Sequence, residues 1–176
     1  MRPVATIFIP ILLLTIAGCQ GEPGPAGPPG PQGPAGPVGQ AYEVQASFTD
    51  ANNYMVFSTY PPEIEVLPTD IVAVYLLWEV DQNTGNDVWQ PLPVSVFFSD
   101  GELQYAFDHT VADVKLFLTG DKALDTVGDG FTRDQIFRIA ILPVDYIQSE
   151  KVDLANMQEV MRAVDQSSIP RLNLSE

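Results

Sequence analysis

The pattern of apolar and polar positions divides the chain into three stretches. Val4 to Ile16 is a largely apolar run behind Arg2 and Pro3, interrupted by Pro10. From Gly21 to Gly39 no hydrophobic periodicity exists. From Ala41 onward the pattern turns to short alternating segments. Tyr42, Val44, Ala46 and Phe48 alternate with Glu43, Gln45 and Ser47, which predicts a half-buried strand. A second strand follows from Tyr54 to Tyr60, stopped by Pro61 and Pro62. Ile71 to Trp78 is apolar on both faces and reads as a central strand covered on two sides, with Trp78 in the core. Glu63 and Glu65, either side of Ile64, read as outward-pointing strand neighbours. Asp81 to Asp87 is a polar loop tip.

Val94, Val96 and Phe98 are answered by Leu103, Tyr105 and Phe107 across Ser99-Asp100-Gly101-Glu102, a hairpin with a four-residue turn. Asp113 to Thr119 and Ile136 to Leu142 are the remaining strands. Leu154, Met157, Met161 and Val164 fall at helical spacing behind a candidate cap at Asp153. The expected fold is therefore mainly β: a single antiparallel β-sandwich, immunoglobulin-like or jelly-roll-like, of seven or eight strands with a short C-terminal helix. The domain organisation expected is 1–18 as a signal peptide, 19–40 as a lipidated cysteine and stalk, and 41–176 as the sandwich domain.

The apolar run is too short to cross a bilayer as a helix, which needs about 20 residues. It has the form of a signal segment. Ile16-Ala17-Gly18-Cys19 resembles the lipobox at which bacterial lipoprotein precursors are lipidated and cut. Cys19 is the only cysteine, so no intramolecular disulfide can form and an exported domain must rely on its core. The lipobox resemblance implies a diacylglycerol on the Cys19 sulfur and an acyl chain on its new amine. Two or more chains make a stable anchor in the lipid bilayer. Gln20 is not the aspartate of the enteric inner-membrane retention rule, which implies the outer membrane, with the periplasmic or surface face left open.

Gly21, Gly24, Gly27, Gly30, Gly33, Gly36 and Gly39 recur at every third position, with Pro in most places between. A triple helix demands that period because only hydrogen fits at its axis. A monomeric Pro-rich spacer tolerates the same composition. Both give a rod of roughly 60 Å at about 3 Å per residue; a homotrimer and a monomeric stalk remain open.

Charge narrows the partners. The chain has 8 Lys and Arg against 23 Asp and Glu, a formal charge of −15, and no Lys or Arg from Gln20 to Val114. Nucleic acid would be repelled, with no counterion release to gain, so no nucleic-acid partner is expected. His109 is the only histidine, which removes the parts of a Ser-His-Asp or multi-histidine metal arrangement; no catalytic residues are expected. Asp121, Asp125 and Asp129 crowd the Gly120 to Gly130 loop and are the candidate Ca²⁺ ligands. Their spacing fits no EF-hand, and turn-forming Asp accounts for the loop without metal. Among Trp78, Trp89, Tyr54 and Tyr60, Trp89 beside Pro91 and Pro93 is the candidate for stacking a sugar ring.

The lipobox, the Gly-Pro-Pro repeat, Asp87-Val88-Trp89 with Pro91-Leu92-Pro93, Phe97 through Tyr105, and Gln135 through Ile139 together are similar to small flavobacterial collagen-like lipoproteins. The resemblance implies no activity. Some of those relatives carry a dihydrolipoamide dehydrogenase label, which a single cysteine and Gly128-Asp129-Gly130-Phe131-Thr132-Arg133 do not support. The expectation is a non-catalytic envelope lipoprotein displaying its domain for a structural or adhesion-type role, the alternative being a glycan-binding module for polysaccharide capture.

Overall fold

The computed structural model describes residues 39–167 and 169–174. The expected signal segment, Cys19 and the glycines from Gly21 to Gly36 lie outside the described residues. Among the described residues, nine strands form two sheets. One has five strands in the order β4-β3-β8-β1-β9: β1 Gln40–Ala46, β3 Asp70–Val80, β4 Asp87–Pro91, β8 Gln135–Pro143 and β9 Arg171–Leu174. The other has four in the order β2-β7-β6-β5: β2 Met55–Thr59, β5 Val94–Phe98, β6 Gly101–His109 and β7 Asp113–Gly120. Three short helices accompany them, α1 Asp129–Thr132, α2 Val144–Glu150 and α3 Met157–Ala163.

The alternation of β1 accounts for the main core. Tyr42, Val44 and Ala46 turn inward with Val72, Val74 and Leu76 of β3 and Phe137, Ile139 and Ile141 of β8. They meet Leu103, Tyr105, Val114, Leu116 and Leu118 of the four-stranded sheet. Phe48, Tyr105 and Phe137 pack edge-on or tilted, with ring centroids about 6 Å apart. Burial pushes the hydroxyl of Tyr42 up to about 12, although Ser58 Oγ–H donates to it.

The double-sided apolarity of β3 has a second cause. Ala41, Ala140 and Ala73 are register partners across β1, β8 and β3, a row of three small side chains on the outer face. They share an apolar cluster with Tyr75, Leu142 and the α3 residues Val160, Met161 and Ala163. Small residues let a helix approach a sheet closely. Tyr75 completes the contact by donating its hydroxyl to the Leu154 carbonyl at 2.6 Å.

Several expectations are corrected. The five-stranded sheet is mixed, because β9 runs parallel to β1; all other strand pairings are antiparallel, and an isolated bridge from Gly39 to Val164 is parallel. β8, not β3, is the central strand. β9 was not foreseen, since four residues after Pro170 carry too short an alternation to register. Helix α2 was not foreseen either, and α3 is capped by Asn156, whose side chain accepts from Gln158 N and Glu159 N, rather than by Asp153. Glu63 and Glu65 are exposed but lie in a loop, not a strand. The β5–β6 hairpin pairs Phe98 with Gly101, so the turn is two residues rather than four. Lys122 reaches back to hold Asp100 of that turn at 2.8 Å.

Trp78 is 41% exposed instead of core. β8 covers β3 only from Asp70 to Leu76, and the register with β4 shifts between Leu77 and Glu79. The end of β3 therefore runs past its neighbour, and the apolar sequence there finds no second layer.

Candidate functional site

The first strand begins where the glycine repeat ends. Gly39 N–H donates to the Ala163 carbonyl at 2.8 Å, and the Gly39 carbonyl accepts from Asp165 N–H at 3.1 Å. A Cβ on Gly39 would meet Leu142 Cδ2 at 2.6 Å and the Ile141 carbonyl at 2.9 Å. The last glycine of the repeat is thus required by the domain itself, for closeness to β8 and the end of α3. Acid surrounds this point. A cavity of about 400 Å³ is lined by Gln40, Glu65, Asp70 and Asp145, and a second of about 390 Å³ by Gln40, Glu63 and Asp165.

The three loop aspartates do not converge as calcium ligands. Asp121 Oδ1 accepts from Glu102 N–H across the neighbouring hairpin, and Asp129 pairs loosely with Arg133 at 3.8 Å. Asp125 lies in the middle of a separate turn, Leu124–Thr126. Among the described residues no three His, Cys, Asp or Glu side chains gather in a metal-binding arrangement. Asp121 is spent on a backbone N–H, and Asp129 lies beside a cation of its own short helix. His109 ends β6 in solvent, stacked on Phe107.

Trp89 is half-buried on the edge strand β4. The Arg138 guanidinium lies over its ring, 4.1 Å from the centroid, so that face of the indole is closed to a sugar. The residue also lines an open groove of about 620 Å³ with Asp87, Asp153, Asn156 and Gln158. Carboxylate acceptors and amide donors beside an indole form the polar complement that hydroxyl-rich ligands require.

Behind Trp89 lies a cluster the sequence did not disclose. Glu43 of β1 is opposite Arg138 of β8 and opposite Arg171 of β9. Arg138 Nε and Nη2 donate to Glu43 Oε1 at 3.0 and 2.6 Å. Arg171 Nε donates to Oε2 at 2.7 Å, with Nη2 on the same oxygen. The Glu43 side chain is 8% exposed, that of Arg138 17% and that of Arg171 51%. Burial by itself would raise the Glu43 pKa; hydrogen bonds from Arg138 and Arg171 outweigh it and hold the carboxyl below its ordinary range. Alternation alone put Glu43 toward solvent. The one available signal was Arg138, a lone cation inside an otherwise apolar strand.

No protein-family model, curated protein or solved structure matches this chain. Among the described residues, no helix is long and apolar enough to cross a membrane.

Proposed function

We propose that this chain is a bacterial envelope lipoprotein, anchored in the outer membrane through acyl chains on Cys19. It displays its two-sheet domain, an immunoglobulin-like or jelly-roll-like sandwich, on a collagen-like stalk. Its role is structural or adhesive and involves no catalysis. The observation that carries this reading is the run from Ile16-Ala17-Gly18-Cys19 through the glycine repeat to Gly39, with β1 starting at the next residue. Nothing separates the repeat from the sheet. The acidic residues around Gln40 suit a domain held away from anionic headgroups.

Mass spectrometry of the mature N-terminus is the test. A diacylglyceryl and N-acyl Cys19 with residues 1–18 removed is expected. An unmodified thiol, or a retained leader, overturns the anchor and the location together. Detergent, and not high salt, should release the protein from membranes.

A second reading is supported by the groove beside Trp89: a glycan-binding module that captures polysaccharide. Its polar lining of Asp87, Asn156 and Gln158 favours it. A glycan array compared with Trp89→Ala tests it; uniform silence of the parent protein removes it.

A further inference from the structure

The chain enters the domain at Gly39, and no slack residue lies between the repeat and the first strand. Gly39 is buried and bridged in parallel to Val164; its N–H donates to the Ala163 carbonyl, and its own carbonyl accepts from Asp165. β1 starts at the next residue. It is held on both sides, by β8 along its whole length from Gln40 to Ala46 and by β9 from Glu43 to Ala46. A pull on the repeat therefore reaches β1 at its first residue.

Strand direction decides how β1 yields to that pull. β8 is antiparallel to both β1 and β3, so β1 and β3 run the same way. Val44 and Leu76 share Phe137 as register partner. The end of β3 at Val80, and the 81–87 loop after it, thus lie past Ala46, at the end opposite Gly39. Tension between Gly39 and that loop runs along the strands. Antiparallel ladder bonds stand perpendicular to their strands, so such tension shears the β1–β8 bonds all at once. A pull across the sheet beside Gln40 opens the same bonds one after another.

Glu43 adds to the first kind of resistance. It sits midway along β1, and its side chain is 8% exposed. Any slide of β1 must break its bonds from Arg138 at 2.6 and 3.0 Å together with that from Arg171 at 2.7 Å. Charge-assisted bonds of this kind are about twice as strong as neutral ones.

We propose that β1, pinned through Glu43 between β8 and β9, is a mechanical clamp. It resists tension between the stalk and the far end of the domain and yields readily to a pull across the sheet. Only the source of the tension rests on the anchored, adhesive reading. The response to a pull at Cys19 is measured without acyl chains, so a failed clamp and a failed anchor give separate results.

The full unacylated chain is pulled one molecule at a time through two thiol handles, one of them Cys19. Asn83→Cys sets the second handle in the exposed far loop. Asp145→Cys sets it beside Gln40, with which Asp145 lines one cavity. At equal loading rate, the Cys19–Asn83 direction should need at least about twice the force of the Cys19–Asp145 direction, since a ladder fails together in one and pair by pair in the other. Glu43→Gln should lower the first force by at least about a quarter. The second force should stay unchanged, because peeling is decided at Gln40 before Glu43 is reached. Leu118→Ala empties a core position in the other sheet and controls for lost stability. Its Cys19–Asn83 force should remain that of the parent, since forced unfolding follows the barrier at the clamp. A smaller ratio between the two directions overturns the proposal. So does a Glu43→Gln loss that is absent, equal in both directions, or matched by Leu118→Ala.

Discussion

Glu43 and Arg138 face each other across β1 and β8, with Arg138 Nη2 at 2.6 Å from Glu43 Oε1 and the back of the guanidinium on Trp89. One ion pair thereby joins the centre of the five-stranded sheet to its edge strand. Arg171 ties β9 to the same carboxylate. A short C-terminal strand, parallel and at the sheet edge, is held by one carboxylate as well as by its ladder.

Removing that carboxylate's charge should be costly. Breaking a buried pair from one side typically costs 3–5 kcal/mol. Arg171 is half exposed and can turn to solvent, so about 2–3 kcal/mol is expected for Glu43→Ala. Urea denaturation checks this. Arg171→Ala should cost under about 1 kcal/mol, since its partner keeps Arg138.

Acid should act through the same group. The folded pKa of Glu43 lies below the ordinary value of 4.5. The folded state thus binds its proton less tightly than the unfolded chain does. Its contribution is complete above that ordinary value and is lost as pH falls through the lower folded pKa. Urea midpoints measured from neutral pH into this acid range should fall less steeply for Glu43→Gln than for the parent.

Alkali should act through the tyrosines. Burial raises Tyr42 and Tyr75 from 10.0 to about 12. Both bind their protons more tightly when folded, so their contribution is intact below pH 10.0 and lost as pH rises toward about 12. Ultraviolet titration should show these two phenols ionising late, together with loss of the folded signal.

Gly39 should tolerate no side chain. The added Cβ of Gly39→Ala meets Leu142 and the Ile141 carbonyl inside contact distance, and a backbone carbonyl cannot step aside. A loss of about 1–3 kcal/mol is expected, read as a lowered melting temperature. A stalk-only role for this glycine predicts no change in domain melting.

Calcium should leave the domain unchanged. Asp121 already accepts the Glu102 N–H, and Asp125 and Asp129 belong to different turns. Melting in EDTA and in millimolar Ca²⁺ should coincide; a calcium-dependent rise would reinstate the loop as a cation site.

Most strands could be read from the chain because burial of one face writes itself as alternation: Tyr42, Val44 and Ala46, or Leu103 and Tyr105, need no partner to reveal their side. Short elements could not. Arg171–Leu174 acquires its strand character from the free edge of β1, and Val144–Glu150 from packing beside β8. Trp78 was misplaced because apolar sequence does not tell where the neighbouring strand stops.

The candidate site divides the same way. Cys19 and the glycine period are features of the covalent sequence and are visible without a fold. The grip of Arg138 and Arg171 on Glu43 and the closure of one Trp89 face join residues far apart along the chain. Strand order and register alone brought those groups within reach, since charge and apolarity carry no address until the backbone has paired.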